Sequence, residues 1–364
     1  MSDAPPPVRA SLHRLRYPLA HAHVAAHGTE DHRELVLVEV ELADGTVGWG
    51  ECSALARPTY TAEHTAGAWI VLRDELVPAA LAGRAPRVVG HPMATAAVRT
   101  ALLDAELRRA ATPLASALAG EVEAATAVPW CAVVSRGADL GDLVTAVAER
   151  LRGPVDLVKL KVTPATEDLA AVREVRFTWP DLPLAVDFNG SATDDALRAL
   201  ERVGLTYVEQ PAPADQLLES ARLAGRIGCP VALDESVSST GDLDAAVALA
   251  AGSVLNVKPA RCGGPDRAAE LLSRARAAGW DAFVGGMLES GIGRATALAV
   301  AAQPTTTLPT DLGPSLSYVD VDVTEALGLD GNGRMRVPTG PGIGIAPVDD
   351  HLRAVTVERV DLRP

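Results

Sequence analysis

Lysine is rare in this chain. Of its 33 basic residues 30 are arginine, and the lysines are Lys159, Lys161 and Lys258. The distinction is chemical: a guanidinium keeps its proton in proteins, whereas a lysine of lowered pKa can lose one and act as a base. Lys159 and Lys161 flank Leu160, a spacing that puts both on one face of a strand. Asp187, Asn189, Glu209, Asp234 and Lys258 follow, and the steps from Lys161 through Asp187, Glu209 and Asp234 to Lys258 are 26, 22, 25 and 24 residues. Each step is the length of one short strand–helix unit.

Three carboxylates brought to one place repel one another and call for a cation. An all-oxygen set points to a hard divalent ion, Mg²⁺ rather than zinc, with Mn²⁺ as a substitute. The matching chemistry is removal of a proton from the carbon beside a substrate carboxylate, because the enediolate so formed needs positive charge next to it. Lys161 and Lys258 then serve as bases on opposite faces of that carbon, with Lys159 as an electrostatic neighbour. Lysine's pKa of about 10.4 must fall for this, through desolvation and through nearby cations such as Lys159 and Arg261. The plainer alternatives are two snorkelling lysines on an amphipathic strand, and acids that cap or pair at strand ends. Even spacing, and lysine kept where arginine is used almost everywhere else, favour the site.

The elements around these residues fit that purpose. Short apolar runs at Cys131–Val134, Leu157–Val162, Leu184–Phe188, Tyr207–Glu209, Val231–Leu233, Val254–Val257, Ala282–Val284 and Thr306–Leu308 alternate with helical stretches. Eight such repeats predict an α/β fold, a modified (β/α)₈ TIM-like barrel over residues 127–314, with its chemistry at the C-terminal strand ends. The alternative, an open doubly wound sheet, lacks its glycine fingerprint. In the barrel the second and sixth strands oppose each other, so Lys161 faces Lys258. Residues 1–126 read as an α+β capping domain. It has a strand at Leu35–Leu42, a turn at Asp44-Gly45, a second strand through Val47 and Trp49, and helices over Thr61–Leu81 and Pro92–Ala111. The segment 315–364, irregular except for a strand-like Ala354–Val360, is expected to pack back on the cap.

Composition narrows the field further. A chain of 364 residues that is 48% hydrophobic can bury a large core, and a net charge of −14 argues against nucleic acid or an anionic membrane as partner. Cys52, Cys131, Cys229 and Cys262 form no C-x-x-C pair, so neither a zinc site nor a disulfide framework is indicated. Met1–Pro7 is no apolar signal core, and no uncharged apolar run of about 18 residues occurs. The expectation is a soluble cytoplasmic protein. A homo-oligomer is compatible with the sequence, but no motif specifies one.

Taken together, Lys159-x-Lys161, Asp187-x-Asn189, Glu209-Gln210-Pro211, Asp234-Glu235-Ser236 and Asn256-Val257-Lys258-Pro259 resemble the enolase superfamily, muconate-lactonizing-enzyme subgroup. Gly48-Trp49-Gly50-Glu51-Cys52, Pro58-x-Tyr60, the Gly285–Arg294 stretch and Val337–Gly342 are similar to the o-succinylbenzoate synthase and N-succinylamino acid racemase family. The resemblance implies a Mg²⁺ enzyme acting on a small carboxylate: a lyase that forms o-succinylbenzoate for menaquinone biosynthesis, or a racemase of N-succinylamino acids. It also implies metal ligation by Asp187, Glu209 and Asp234. Substrate contacts are implied for Asn189, Arg261, Ser135, Gly286, Met287, Glu289, Tyr60 and Thr29, with loops near Val24–Thr29 and Ser53–Tyr60 closing over the barrel.

Two departures from the family pattern are expected to reshape the pocket. One is the histidine-bearing stretch His21–His27, read as solvated imidazoles rather than a second metal site; the other is Phe188, where relatives carry a small residue. Arg261 matches an arginine associated with racemase members. A dipeptide epimerase is disfavoured because Asp311-Leu312-Gly313 lacks a second aspartate. A Schiff-base lyase would leave three carboxylates unexplained, and a non-catalytic barrel is the remaining alternative.

Overall fold

Alternating side chains along one strand after another set this architecture. The computed structural model describes residues 6–25, 28–85, 88–135 and 140–364, and the side chains of residues 21–30, 140 and 141 are outside that description. Thr29 and the His21, His23 and His27 side chains therefore lie outside the described set.

A first sheet combines β1 (Arg9–Ala25), β2 (Gly28–Glu41) and β3 (Val47–Cys52). The β2–β3 hairpin forms where the Asp44-Gly45 signal predicts it: Leu42 and Thr46 bond across the turn and Gly45 takes φ 85°. Helices α1 (Thr65–Val71) and α2 (Val77–Leu81), joined through a π-turn at Leu72–Leu76, are followed by α3 (Pro92–Arg109) and α4 (Leu114–Ala119). Residues Val36, Val38 and Val40 on the inner face of β2 pack with Met93, Ala97 and Ala101 of α3 in a cap core.

The second sheet begins after the short β4 (Ala127–Val128) and is parallel. Its strands and helices alternate as β5 (Cys131–Val134), α5 (Leu140–Arg150), β6 (Leu157–Lys161), α6 (Thr166–Thr178), β7 (Leu184–Asp187), α7 (Asp194–Leu200) and β8 (Val208–Glu209). Then come α8 (Leu217–Ala224), β9 (Val231–Leu233), α9 (Thr240–Ala248), β10 (Val254–Val257), α10 (Pro265–Ala277), β11 (Asp281–Val284) and α11 (Gly291–Ala301). The strands pair in the order β11-β10-β9-β8-β7-β6-β5.

The eighth strand expected at Thr306–Leu308 does not form. Instead Thr307 and Leu308 donate backbone bonds to Ala282 of β11, while Thr310 accepts one from Cys131 of β5 and forms a parallel bridge with Trp130. Residues 306–311 thus bond to both edge strands without extending far enough along either to make a ladder. The tail supplies β12 (Met335–Arg336), paired with β4, then α12 (Asp349–Val355) and β13 (Thr356–Leu362). β13 pairs antiparallel with β1, so the first sheet runs β13-β1-β2-β3. Among the described residues no helix is long and apolar enough to cross a membrane.

Glycine matters where β3 meets α3. A Cβ on Gly50 would lie 2.0 Å from the Ala97 carbonyl oxygen, and one on Gly48 2.2 Å from that of Ala101. Both obstacles are helix backbone, which cannot swing aside. Gly50→Ala is therefore expected to destabilise by about 1–3 kcal/mol, read as a lower urea midpoint at unchanged slope. An unchanged midpoint would show that β3 has room to slide.

Candidate active site

Side-chain alternation builds the site in layers. Cys131, Leu157, Ala185, Tyr207, Ala232, Val254 and Phe283 form an apolar cluster inside the curled sheet. Two residues further along each strand, on the same face, stand Val133, Lys159, Asp187, Glu209, Asp234, Asn256 and Gly285. Another step of two reaches Lys161, Asn189, Lys258 and Met287. Most of these wall one cavity, completed by Leu55 and Tyr60 from the cap and by Gly286, Leu288, Arg294, Asp311 and Tyr318.

Each acid in the cavity is matched to a cation. Lys161 donates to Asp187 at 2.8 Å and to the Asn189 side-chain oxygen at 3.2 Å. Lys159 bonds Glu209 at 2.5 Å and also Asp311, and its ammonium lies 5.2 Å from the Phe283 ring centre. Lys258 donates to Asp234 at 2.8 Å and to the Tyr60 hydroxyl at 2.9 Å, while Arg261 grips Asp234 from behind. Asn256 donates to the other oxygen of Glu209 at 2.7 Å. Gly285 makes room for this: a Cβ there would lie 2.9 Å from Lys258 Cε and closer still to the Asn256 amide.

These pairings change two sequence-based expectations. The carboxylates do not stand as unpaired charges, and among the described residues no three acid, histidine or cysteine side chains already form a metal cage. Nor are the lysines depressed. Burial pulls the pKa of Lys161 down, but the adjacent Asp187 carboxylate outweighs it and the value rises above the ordinary one. Lys159 and Lys258 are raised in the same way, against burial, chiefly by Asp311 and by Asp234. Lys258 is near enough to Lys161 to oppose its protonation, so the two ammoniums share one field.

Negative charge nonetheless remains in excess. Glu209 is pushed up to about 8 by burial and by the charges of Asp187, Asp311 and Asp234, which Lys159 only partly offsets. Glu235 rises to about 7 by burial and by Asp234 and Asp187. Asp187 and Glu209 are directly opposite in the β7–β8 register, and all the donors are oxygen. An oxygen-only, buried, over-acidic set of this kind suits a hard divalent cation.

Other expected contacts divide. Tyr60, Asn189, Gly286 and Met287 line the cavity. Glu289 lines a small neighbouring cavity behind Lys258 and Met287, and Arg261 stands behind Asp234. At β5 the wall is Val133, not Ser135. Phe188 does not reshape the pocket: it is buried in the core between sheet and helices, because, one residue past Asp187 at the end of β7, alternation points it outward. Asp311, Arg294 and Tyr318 were not foreseen as wall residues. Asp311 carries the one legible signal, standing where the eighth strand end was expected.

The N-terminal region, residues 9–119, matches the family model "mandelate racemase / muconate lactonizing enzyme, N-terminal domain", and residues 142–351 match "enolase C-terminal domain-like". The chain belongs to the enolase superfamily. Within that superfamily it is 38% identical to an N-succinylamino acid racemase from Amycolatopsis sp., across 96% of this chain and 97% of that protein. It is 34% identical to an o-succinylbenzoate synthase from Geobacillus stearothermophilus, across 92% and 91%. A solved structure, a probable mandelate racemase from Alicyclobacillus acidocaldarius, superposes with a TM-score of 0.87 at 35% identity, covering 98% of this chain and 99% of that one.

The close fit of Gly285 gives a test of how finely this superfamily site is set. Gly285→Ala should push Lys258 off Asp234 and lower kcat/KM by about tenfold or more while the far-UV circular dichroism stays that of the folded protein. Unchanged kinetics would mean that the Lys258 side chain has slack.

Proposed function

We propose that this chain is a Mg²⁺-dependent o-succinylbenzoate synthase of the cytoplasm that also racemises N-succinylamino acids. The observation that carries the reading is that Lys161 on β6 and Lys258 just past β10 face one cavity with buried carboxylates between them. Relatives named for each of the two reactions, at 38% and 34% identity over most of the chain, support it. We take residues 127–314 as the catalytic domain, 1–126 as its cap and 315–364 as a segment returning to the cap.

Asp187, Glu209 and Asp234 would hold the divalent ion, which supplies positive charge to a substrate carboxylate and competes with the lysines for these acids. The rest is the work of this chain's own groups. In the synthase reaction Lys161, which must first give up its own proton as Asp187 is drawn from it, takes the proton from the ring carbon bearing the carboxylate and gives it to the departing hydroxyl, which leaves as water. Lys258 stays protonated and offsets the charge of the enediolate. In racemisation one lysine removes the α-proton and the other returns a proton to the opposite face, so both must exchange protons. Tyr60, reaching down from the cap, covers Lys258 and keeps water from it.

Incubating the protein and Mg²⁺ in D₂O with 2-succinyl-6-hydroxy-2,4-cyclohexadiene-1-carboxylate, and separately with N-succinylamino acids, should give o-succinylbenzoate in the first case and α-deuterated racemate in the second. Absence of both products would refute the reading. Lys161→Arg should abolish both reactions with the fold intact, since charge survives but the transferable proton does not. Lys258→Arg should abolish racemisation and leave part of the dehydration, and equal loss of both would overturn the division of roles. Chelation should stop turnover, Mg²⁺ or Mn²⁺ should restore it, and the metal should raise the melting midpoint by mass action. Chelator-resistant turnover would remove the metal from the proposal.

A further inference from the structure

Glu51 ends a strand of the cap, yet its bonding partners lie in the barrel. Its carboxylate accepts hydrogen bonds from the Ser290 amide at 3.2 Å, the Gly293 amide at 3.1 Å and the Ser290 hydroxyl, and from Ser53 on its own side at 2.7 Å. Ser290 is the N-cap of α11, so a cap-domain anion sits at the positive end of a barrel helix. Two glycines permit the approach. Gly50 lets β3 lie against α3, and a Cβ on Gly293 would fall 3.0 Å from the Glu51 carboxyl carbon.

Arg33 makes the complementary connection. It is fully buried on β2, and among the described residues it bonds no carboxylate. Its guanidinium donates to the Ser53 and Ala54 carbonyls of the cap, at 2.5 and 3.1 Å, and to the Met287 carbonyl of the barrel at 2.9 Å. A buried cation bonded only to backbone carbonyls, its Nε without a partner among the described residues, and a buried anion bonded by amides and hydroxyls, the two meeting at Ser53, are costly to assemble. For Glu51 the cost is visible: burial pushes it up to about 7 although Ser290 and Ser53 donate to it.

Both residues grip the same two stretches. One is the run Ser53–Tyr60, which brings Leu55 and Tyr60 to the cavity; the other is Gly286–Ser290, which brings Gly286, Met287 and Leu288. We propose that Glu51 and Arg33 form an interdomain clasp that holds these two cavity walls in register, so that cap loop and barrel loop open and close as one unit. Both are positioning residues: neither lines the main cavity with the lysines. The clasp does not depend on which substrate occupies the site.

The test is hydrogen exchange on the full chain, read by mass spectrometry, with Glu51→Gln compared to the unaltered protein. Gln keeps the shape, removes the charge and turns an NH₂ toward amide donors. Exchange should quicken about tenfold in residues 53–60 and 286–293 together, with β6 to β9 unchanged. In step with that, KM for whichever proposed substrate is turned over should rise more than kcat falls. Quickening in only one stretch, in neither, or evenly through the chain would overturn the clasp. Ser53→Ala, which removes a single donor to Glu51 and leaves the cap of α11 in place, should show the same paired pattern at smaller amplitude and serves if Glu51→Gln does not fold. Since exchange needs no turnover, failure of the clasp is distinguishable from failure of the proposed reaction.

Discussion

Buried charge has to be matched, and the mouth of this barrel is arranged around that constraint. Asp187, Glu209, Asp234 and Asp311 lie against Lys159, Lys161, Lys258 and Arg261 in largely buried surroundings. In such a place an unpaired charge costs several kcal/mol. Each cation is therefore held by the acids, and each acid by cations or amides. The same pairing raises the lysines above their ordinary pKa, while burial and the neighbouring acids leave Glu209 reluctant to ionise. A site of this kind is poised for exchange: a divalent ion and a carboxylate substrate bring charges of both signs, and the internal pairs can re-form around them.

Support for the charged layer comes from below and behind. The apolar plug of Leu157, Tyr207, Phe283 and their neighbours keeps water from entering from the far end, and Tyr207 and Phe283 stack at 5.3 Å. Gln210 ties strand ends together, donating to the Ser236 hydroxyl and accepting from the Asp234 amide, which fixes the backbone that carries Glu209 and Asp234. Asn189 and Gln210 both adopt positive φ, at 43° and 38°. Strain of this sort gathers where side chains must be aimed rather than packed.

The cap contributes by contact, not by chemistry of its own. Tyr60 reaches Lys258, and the loop that carries it is anchored through Ser53 and Ala54 to Arg33. The tail belongs to the same architecture, because β13 completes the sheet in which β2 holds Arg33 and β3 holds Glu51. The cap side of the cavity wall is thus set by residues far from the lysines in sequence.

Period-two alternation and βα spacing made much of this legible from sequence. They placed Lys159, Lys161, Asp187, Glu209, Asp234 and Lys258 on neighbouring strand ends, because a strand presents every second residue to one face whatever surrounds it. They also located the β2–β3 hairpin, α3 and the returning strand β13. What local pattern could not supply was everything set by contact across the chain. The run at Thr306–Leu308 looks like a strand, but its edge partners engage only a few of its groups. Phe188, by contrast, was misplaced against that pattern: the alternation that aims Asp187 and Asn189 into the cavity already turns it to the helices. The direction of the lysine pKa shifts depends on which acid each ammonium meets, and Asp311, 152 residues from Lys159, is invisible as its partner in sequence. Residue type and period determined which groups of the strand ends share the cavity; only tertiary packing decided what else lines it and which charges pair within it, since Coulombic pairing depends on distance in space.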